Sequence, residues 1–188
     1  MRLRVLQAIA MIAITFAGPA AAQSGGIPVE QDDAMTLHTF LLTYRCAVVE
    51  RLQMIHDNRD RKRDRFIVLA MRLRPQSYVQ CIFLDGDRRV LCEASSGFYA
   101  TPAVQDRSYR LPEYRVAALA RLGFSTDDSE GNFQKLITFD GEPDLAVIAD
   151  LILSTLYEVY DARIGSNLEW VSPLADIDPR KSACVPIG

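Results

Sequence analysis

The chain has 188 residues, with 21 basic and 24 acidic side chains, 49% apolar residues and four cysteines. A balance this close to neutrality, tipped towards acid, argues against nucleic acid as a partner, because phosphate binding needs an excess of Lys and Arg on one face. The length suits one compact domain with a core of its own.

The first 22 residues read as a secretory signal peptide. Met-Arg-Leu-Arg is a basic start, Val5 to Ala17 is an apolar run, and Gly18-Pro19-Ala20-Ala21-Ala22 supplies small residues before Gln23. The run is too short to span a membrane comfortably, and Ala20 and Ala22 fit the Ala-x-Ala pattern, so cleavage is expected near Ala22, before Gln23. An uncleaved anchor is the competing reading, disfavoured by Pro19 and the small residues. No cysteine adjoins the cut, so lipid attachment there is not expected. Without Arg2 and Arg4 the mature chain keeps 19 basic and 24 acidic residues, net about −5. No later run reaches the length of a span, and the richest, Leu145 to Leu153, is interrupted by Asp150. The expected location is therefore periplasmic or secreted, with no stable membrane insertion after cleavage.

Residues 23–33 read as a flexible lead-in, 34–170 as the domain and 171–188 as a C-terminal tail. From about Met35 to Ile55 the apolar residues Leu37, Leu41, Tyr44, Val48, Leu52 and Ile55 recur at helical spacing, with Asp32 or Asp33 placed to cap the start. The charged stretch His56 to Arg65 interleaves acids with bases and reads as a solvated connector. Phe66 to Arg74 alternates as a strand, with Ile67, Leu69, Met71 and Leu73 on one side. After Pro75-Gln76, Tyr78 to Leu84 is a second strand, Asp85-Gly86-Asp87 a hairpin signal, and Arg89 to Ala94 a third strand. Tight turns between consecutive strands mean an antiparallel meander.

Beyond an irregular link, Glu113 to Leu122 reads as a short helix ended by Gly123. Phe124 to Gly131 is a polar turn, and Phe133 to Phe139 a fourth strand. Asp140-Gly-Glu-Pro143 opens a last helix to about Tyr160, with proline in its first turn and Gly165 marking the stop. The tail, with Trp170, is expected to pack irregularly. The fold class is α+β: helix, three-stranded antiparallel meander, helix, further strand, long C-terminal helix.

In an oxidising compartment Cys46, Cys81, Cys92 and Cys184 imply two disulfides, for which three pairings exist. A four-residue loop at Asp85-Gly86-Asp87-Arg88 would set Cys81 opposite Cys92, leaving Cys46 to tie the tail through Cys184. A register change of one residue would separate the first pair, so the connectivity stays open at this level. A zinc site is the other use of four cysteines, but no Cys-x-x-Cys spacing exists.

Catalytic signals are absent from the sequence. His38 and Cys46 are eight residues apart on one helix, over 10 Å along its axis, which excludes a nucleophile pair. There is no Gly-x-Ser-x-Gly elbow, no His-Glu-x-x-His and no phosphate loop. Asp127 to Gly131 resembles a calcium loop loosely, but Thr126 and Ile137 would stand where carboxylates are needed. Asp140, Glu142 and Asp144 complement the dipole of the last helix. The expectation is no enzyme, no cofactor and no metal. An enzyme would need a cleft of convergent titratable groups, such as Glu93 with neighbouring arginines.

The positive signal is apolar surface. On the last helix Leu145, Ile148, Ala149, Ile152, Leu153, Leu156, Val159 and Tyr160 form a stripe that would cover a sheet, while Val147 and Leu151 lie on another side. A helix apolar on two sides is buried twice, here by the first helix, a second copy or a client. Val147 and Leu151 are therefore partner-surface candidates. The far face of the sheet, which must be polar, covered by the tail or offered to a partner, is another candidate.

Leu119-Ala-Arg-Leu-Gly-Phe124, Asn132-Phe133, Asp144-Leu-Ala-Val-Ile-Ala-Asp150 and Thr155-Leu-Tyr-Glu-Val-Tyr160 together resemble the type III secretion chaperone-like and YbjN-like (TY-Chap) superfamily, over roughly residues 111–170. The preceding helix and meander are similar to that family's order of elements. The resemblance implies a small α+β domain that binds a protein client or itself without chemistry: a chaperone, adaptor or regulatory accessory. The other classes are a small-ligand or envelope-lipid binder, which needs a deep apolar cavity between sheet and helix, and an enzyme of unrecognised chemistry.

Overall fold

The computed structural model describes residues 37–58, 65–100, 110–129, 131–175 and 183–184. The expected signal peptide, the lead-in with the aspartates expected to cap the first helix, the expected helix start at Met35, most of the charged connector and most of the tail lie outside them. The described residues belong to one compact unit, Asp33–Gly188.

The elements follow as α1 (Leu37–Asp57), β1 (Phe66–Met71), β2 (Tyr78–Leu84), β3 (Arg89–Ala94), α2 (Glu113–Arg121), β4 (Phe133–Thr138), α3 (Leu145–Glu158) and β5 (Leu168–Val171). The fold is mixed helix and strand: among the described residues, three helices and one antiparallel sheet in the order β4-β3-β2-β1-β5. The order expected from the sequence lacks β5. That strand comes from the tail segment expected to be irregular, and it pairs with β1, setting Trp170 beside Leu69.

Every second residue of the strands points into one layer. Ile67 and Leu69, Val79, Cys81 and Phe83, and Val90, Cys92 and Ala94 are buried there with Phe133. Opposite them lie Phe40, Val48, Leu52 and Ile55 of α1, and Ile148, Ile152 and Leu156 of α3. The two helices pack on one face of the sheet and on each other. Phe40 packs at a tilt against Tyr157 with ring centroids 5.4 Å apart, and Arg45 reaches Asp150 at 2.7 Å. Helix α2 leans on α3, where Arg115 Nη1 donates to the Val159 carbonyl at 2.7 Å.

Local chemistry sets the element ends. Asp144 is the N-cap of α3, its carboxylate accepting the backbone N–H of Ala146 and Val147. Pro143 therefore precedes the helix instead of opening its first turn, and no acid lies within that turn. The helix closes at Val159, well before Gly165. Gly123 adopts φ +82° just past α2, the left-handed geometry expected of a helix stop. Strand β1 ends at Met71, because Arg74 N–H turns back to the Met71 carbonyl at 3.0 Å. Leu73, expected inside, is 80% exposed.

The hairpin between β2 and β3 carries three successive left-handed residues, Asp85, Gly86 and Asp87. Glycine and aspartate are among the few residues that take this geometry at low cost. The resulting loop sets Leu84 opposite Arg89 and Cys81 opposite Cys92. Ser95 N–H donates to the Tyr78 carbonyl, so by alternation Cys81 and Cys92 form a non-hydrogen-bonded pair, the closer of the two kinds. Their Cα atoms are 4.1 Å apart and the sulfurs are bonded. Cys46 bonds Cys184 with Cα atoms 5.7 Å apart, and Ala183 N–H donates to Glu50 Oε1 alongside.

Candidate interaction surface

The face of the sheet turned away from the helices is built by residues of the other parity. Backbone pairing aligns Phe66, Ile82, Leu91 and Leu136 into one row across four strands. Beside it runs Val171, Val68, Gln80, Glu93 and Gln134. Leu136 is 50% exposed and Val171 42%, while Phe66, Val68, Ile82 and Leu91 are half-buried. None of these apolar residues belongs to the core layer or packs against it. They form a separate apolar patch, whose main row, Phe66–Ile82–Leu91–Leu136, has one side chain on each of β1 to β4.

Along one side the stripe meets a polar network. Glu93 is 7% exposed, and its carboxylate accepts the side-chain amides of Gln80 and Gln134, its neighbours in the row. Two neutral amides on neighbouring strands thus hold a buried carboxylate. The enzyme alternative would call for arginines beside Glu93, whose side-chain partners are instead these two glutamines. Tyr78 OH accepts from Asn132 Nδ2 at 3.0 Å, and burial pushes its phenol above the usual 10.0 despite that hydrogen bond. The next turn presents Phe98 and Tyr99 to solvent, packed edge to face at 5.1 Å.

The other convergence of titratable groups lies at the hairpin tip, on the helix side. Asp87 Oδ2 pairs with His56 Nδ1 at 2.9 Å and Oδ1 with the Arg65 guanidinium. Arg65 also donates to the Asn58 carbonyl at 3.1 Å and lies over the Phe83 ring. With Asp87 at 3% and Arg65 at 6% exposure, the pair ties the end of α1 to the hairpin and presents no open site. His38 is exposed on α1, apart from this cluster. Among the described residues no group of three or more His, Cys, Asp or Glu side chains is placed to hold a metal ion.

Of the two partner-surface candidates on α3, Val147 is 47% exposed and Leu151 only 7%. Leu151 is thus a core residue, while Val147, one turn earlier, is exposed to solvent; α1 packs against α3. Phe66, Ile82, Leu91 and Leu136 went unnamed individually. A signal was present: Phe66-Ile-Val-Leu-Ala-Met71 and Cys81-Ile-Phe-Leu84 are apolar at every position, not every second one, as expected of a sheet covered on both faces.

The chain matches no protein-family model, no curated protein and no solved structure at a significant level.

Proposed function

We propose that this chain is an exported, non-enzymatic protein-binding domain, a chaperone, adaptor or regulatory accessory of the periplasm, that engages its client on the open sheet face. The observation that carries this reading is the row Phe66–Ile82–Leu91–Leu136, an apolar stripe on the side of the sheet away from the helices. A stripe of this kind, rimmed by polar groups, is what a partner's apolar side chains recognise. The resemblance of residues 111–170 to the TY-Chap superfamily points the same way, since that fold serves protein binding.

Export accords with the leader-like start of the chain and with two disulfides. Among the described residues no helix is long and apolar enough to cross a membrane. The ligand-binding alternative draws less support, because the layer between sheet and helices is lined by side chains at or near zero exposure.

The test is suppression of light scattering by an aggregating, chemically unfolded model protein. Mature wild-type chain should suppress it at near-stoichiometric amounts. The double variant Ile82→Gln, Leu91→Gln should lose most of that effect while keeping the wild-type circular dichroism spectrum. Equal suppression by the folded double variant, or none by the wild type, would reject the reading.

A further inference from the structure

The β4 edge of the sheet leaves part of its backbone without partners. Phe139 N–H donates to the Arg88 carbonyl at 2.9 Å, so by alternation Phe133, Lys135 and Ile137 bond β3, while Gln134, Leu136 and Thr138 turn their N–H and C=O groups outward. The Gln134 carbonyl accepts Ser125 N–H at 2.7 Å, and the chain after α2 thereby shields the start of the edge. Past that point the outward groups of Leu136 and Thr138 meet no hydrogen-bonding partner among the described residues. Proteins usually guard such an edge with charge, proline or a bulge. Here the outward residues are uncharged. Lys135, the one cation in the strand, has its ammonium on the Leu122 carbonyl at 2.6 Å.

We propose that a second copy of this chain completes this edge, β4 pairing antiparallel with the same strand of its partner about a twofold axis at Ile137. Leu136 would then lie opposite the partner's Thr138 and exchange N–H···O bonds with it, and Ile137 would face the partner's Ile137. Centring the pair on Leu136 instead would press the partner's Thr138 against Gln134, where Ser125 already sits. The open window is short, which suits a twofold contact between copies better than a long foreign strand. The opposite edge is less suited to self-pairing, since its outward residues Leu168 and Trp170 flank Glu169, and the equivalent register sets Glu169 against the partner's Glu169. At β4 the pairing sets Leu136 against the partner's Thr138, so the row Phe66–Ile82–Leu91–Leu136 and its copy lie on one face, offset from each other by one row. This deepens the protein-binding reading, making the client surface one face of a continuous two-copy sheet.

Sedimentation equilibrium of the mature chain tests the pairing. Wild type should show a concentration-dependent monomer–dimer equilibrium. Thr138→Pro removes an outward N–H without touching the ladder to β3, and should weaken association about tenfold, two symmetric hydrogen bonds being lost, with the melting temperature as control for folding. Ile137→Cys should give a covalent dimer under mild oxidation, because the axis would hold two non-hydrogen-bonded residues as Cys81 and Cys92 are held, with Cα atoms 4.1 Å apart there. A wild type that stays monomeric, or an Ile137→Cys chain that forms no crosslinked dimer, overturns the proposal. Ile82→Gln, Leu91→Gln should keep the dimer while losing client suppression, so failure of the pairing and failure of the client reading are separate results.

Discussion

Asp87 ties the β2–β3 hairpin to the end of α1 and to the residue before β1. It is buried in left-handed backbone at a hairpin tip and pairs with Arg65 and His56 at once. Asp87→Ala would leave Arg65 buried without its carboxylate, and breaking a buried pair in this way costs about 3–5 kcal/mol. Chemical denaturation should register that loss, and a variant as stable as wild type would show that solvent reaches Arg65. Tyr160 offers a pH test. Its hydroxyl donates to the Ser95 carbonyl at 2.6 Å, and burial raises its phenol well above the usual 10.0. Above about pH 10 the unfolded chain gives up this proton and the folded chain keeps it, so stability falls as pH rises from there. Tyr78, shifted the same way, adds to the slope. Tyr160→Phe should be less stable at neutral pH and show a shallower alkaline decline.

At the scale of elements, α3 separates core from surface within one turn. Leu151→Ser removes a buried side chain and buries a hydroxyl, which should cost about 2–4 kcal/mol, whereas Val147→Ser at a half-exposed position should stay within about 0.5 kcal/mol. Thermal unfolding of the two variants would distinguish them. Both residues stand outside the main stripe in a periodicity plot, so spacing alone could not tell a helix packed against its neighbour from one awaiting a client. The hairpin was legible for the opposite reason. Asp-Gly-Asp fixes a turn and hence a register, and the register puts Cys81 beside Cys92. Strand β5 was not legible because four residues, Leu168 to Val171, are too few for a pattern, and their place in the sheet depends on β1, roughly a hundred residues earlier. The stripe Phe66–Ile82–Leu91–Leu136 needed the same information, because it exists only once four strands are aligned.

For the whole molecule, the two disulfides act over very different spans, 11 and 138 residues. Chain-entropy reasoning gives about 3 kcal/mol for the short loop and about 5 kcal/mol for the long one. Replacing Cys46 and Cys184 by alanine should therefore lower the denaturation midpoint more than replacing Cys81 and Cys92. The core argues the other way. Cys81 and Cys92 are fully buried between sheet and helices, so their loss also opens packing, while Cys46 is exposed. A larger effect from the short bridge would mean that packing outweighs loop closure here. The helices and the meander follow from residue patterns, and the apolar row on the sheet's other face follows from how the strands are aligned.

The position of β5 has a consequence in time. The flank of β1 waits for residue 168 and the long bridge waits for residue 184, so a later part of the chain closes what an earlier part begins. While the polypeptide is still being threaded from its synthesis, the domain has an unfinished side and cannot lock. It shuts only when residues 168 to 184 arrive.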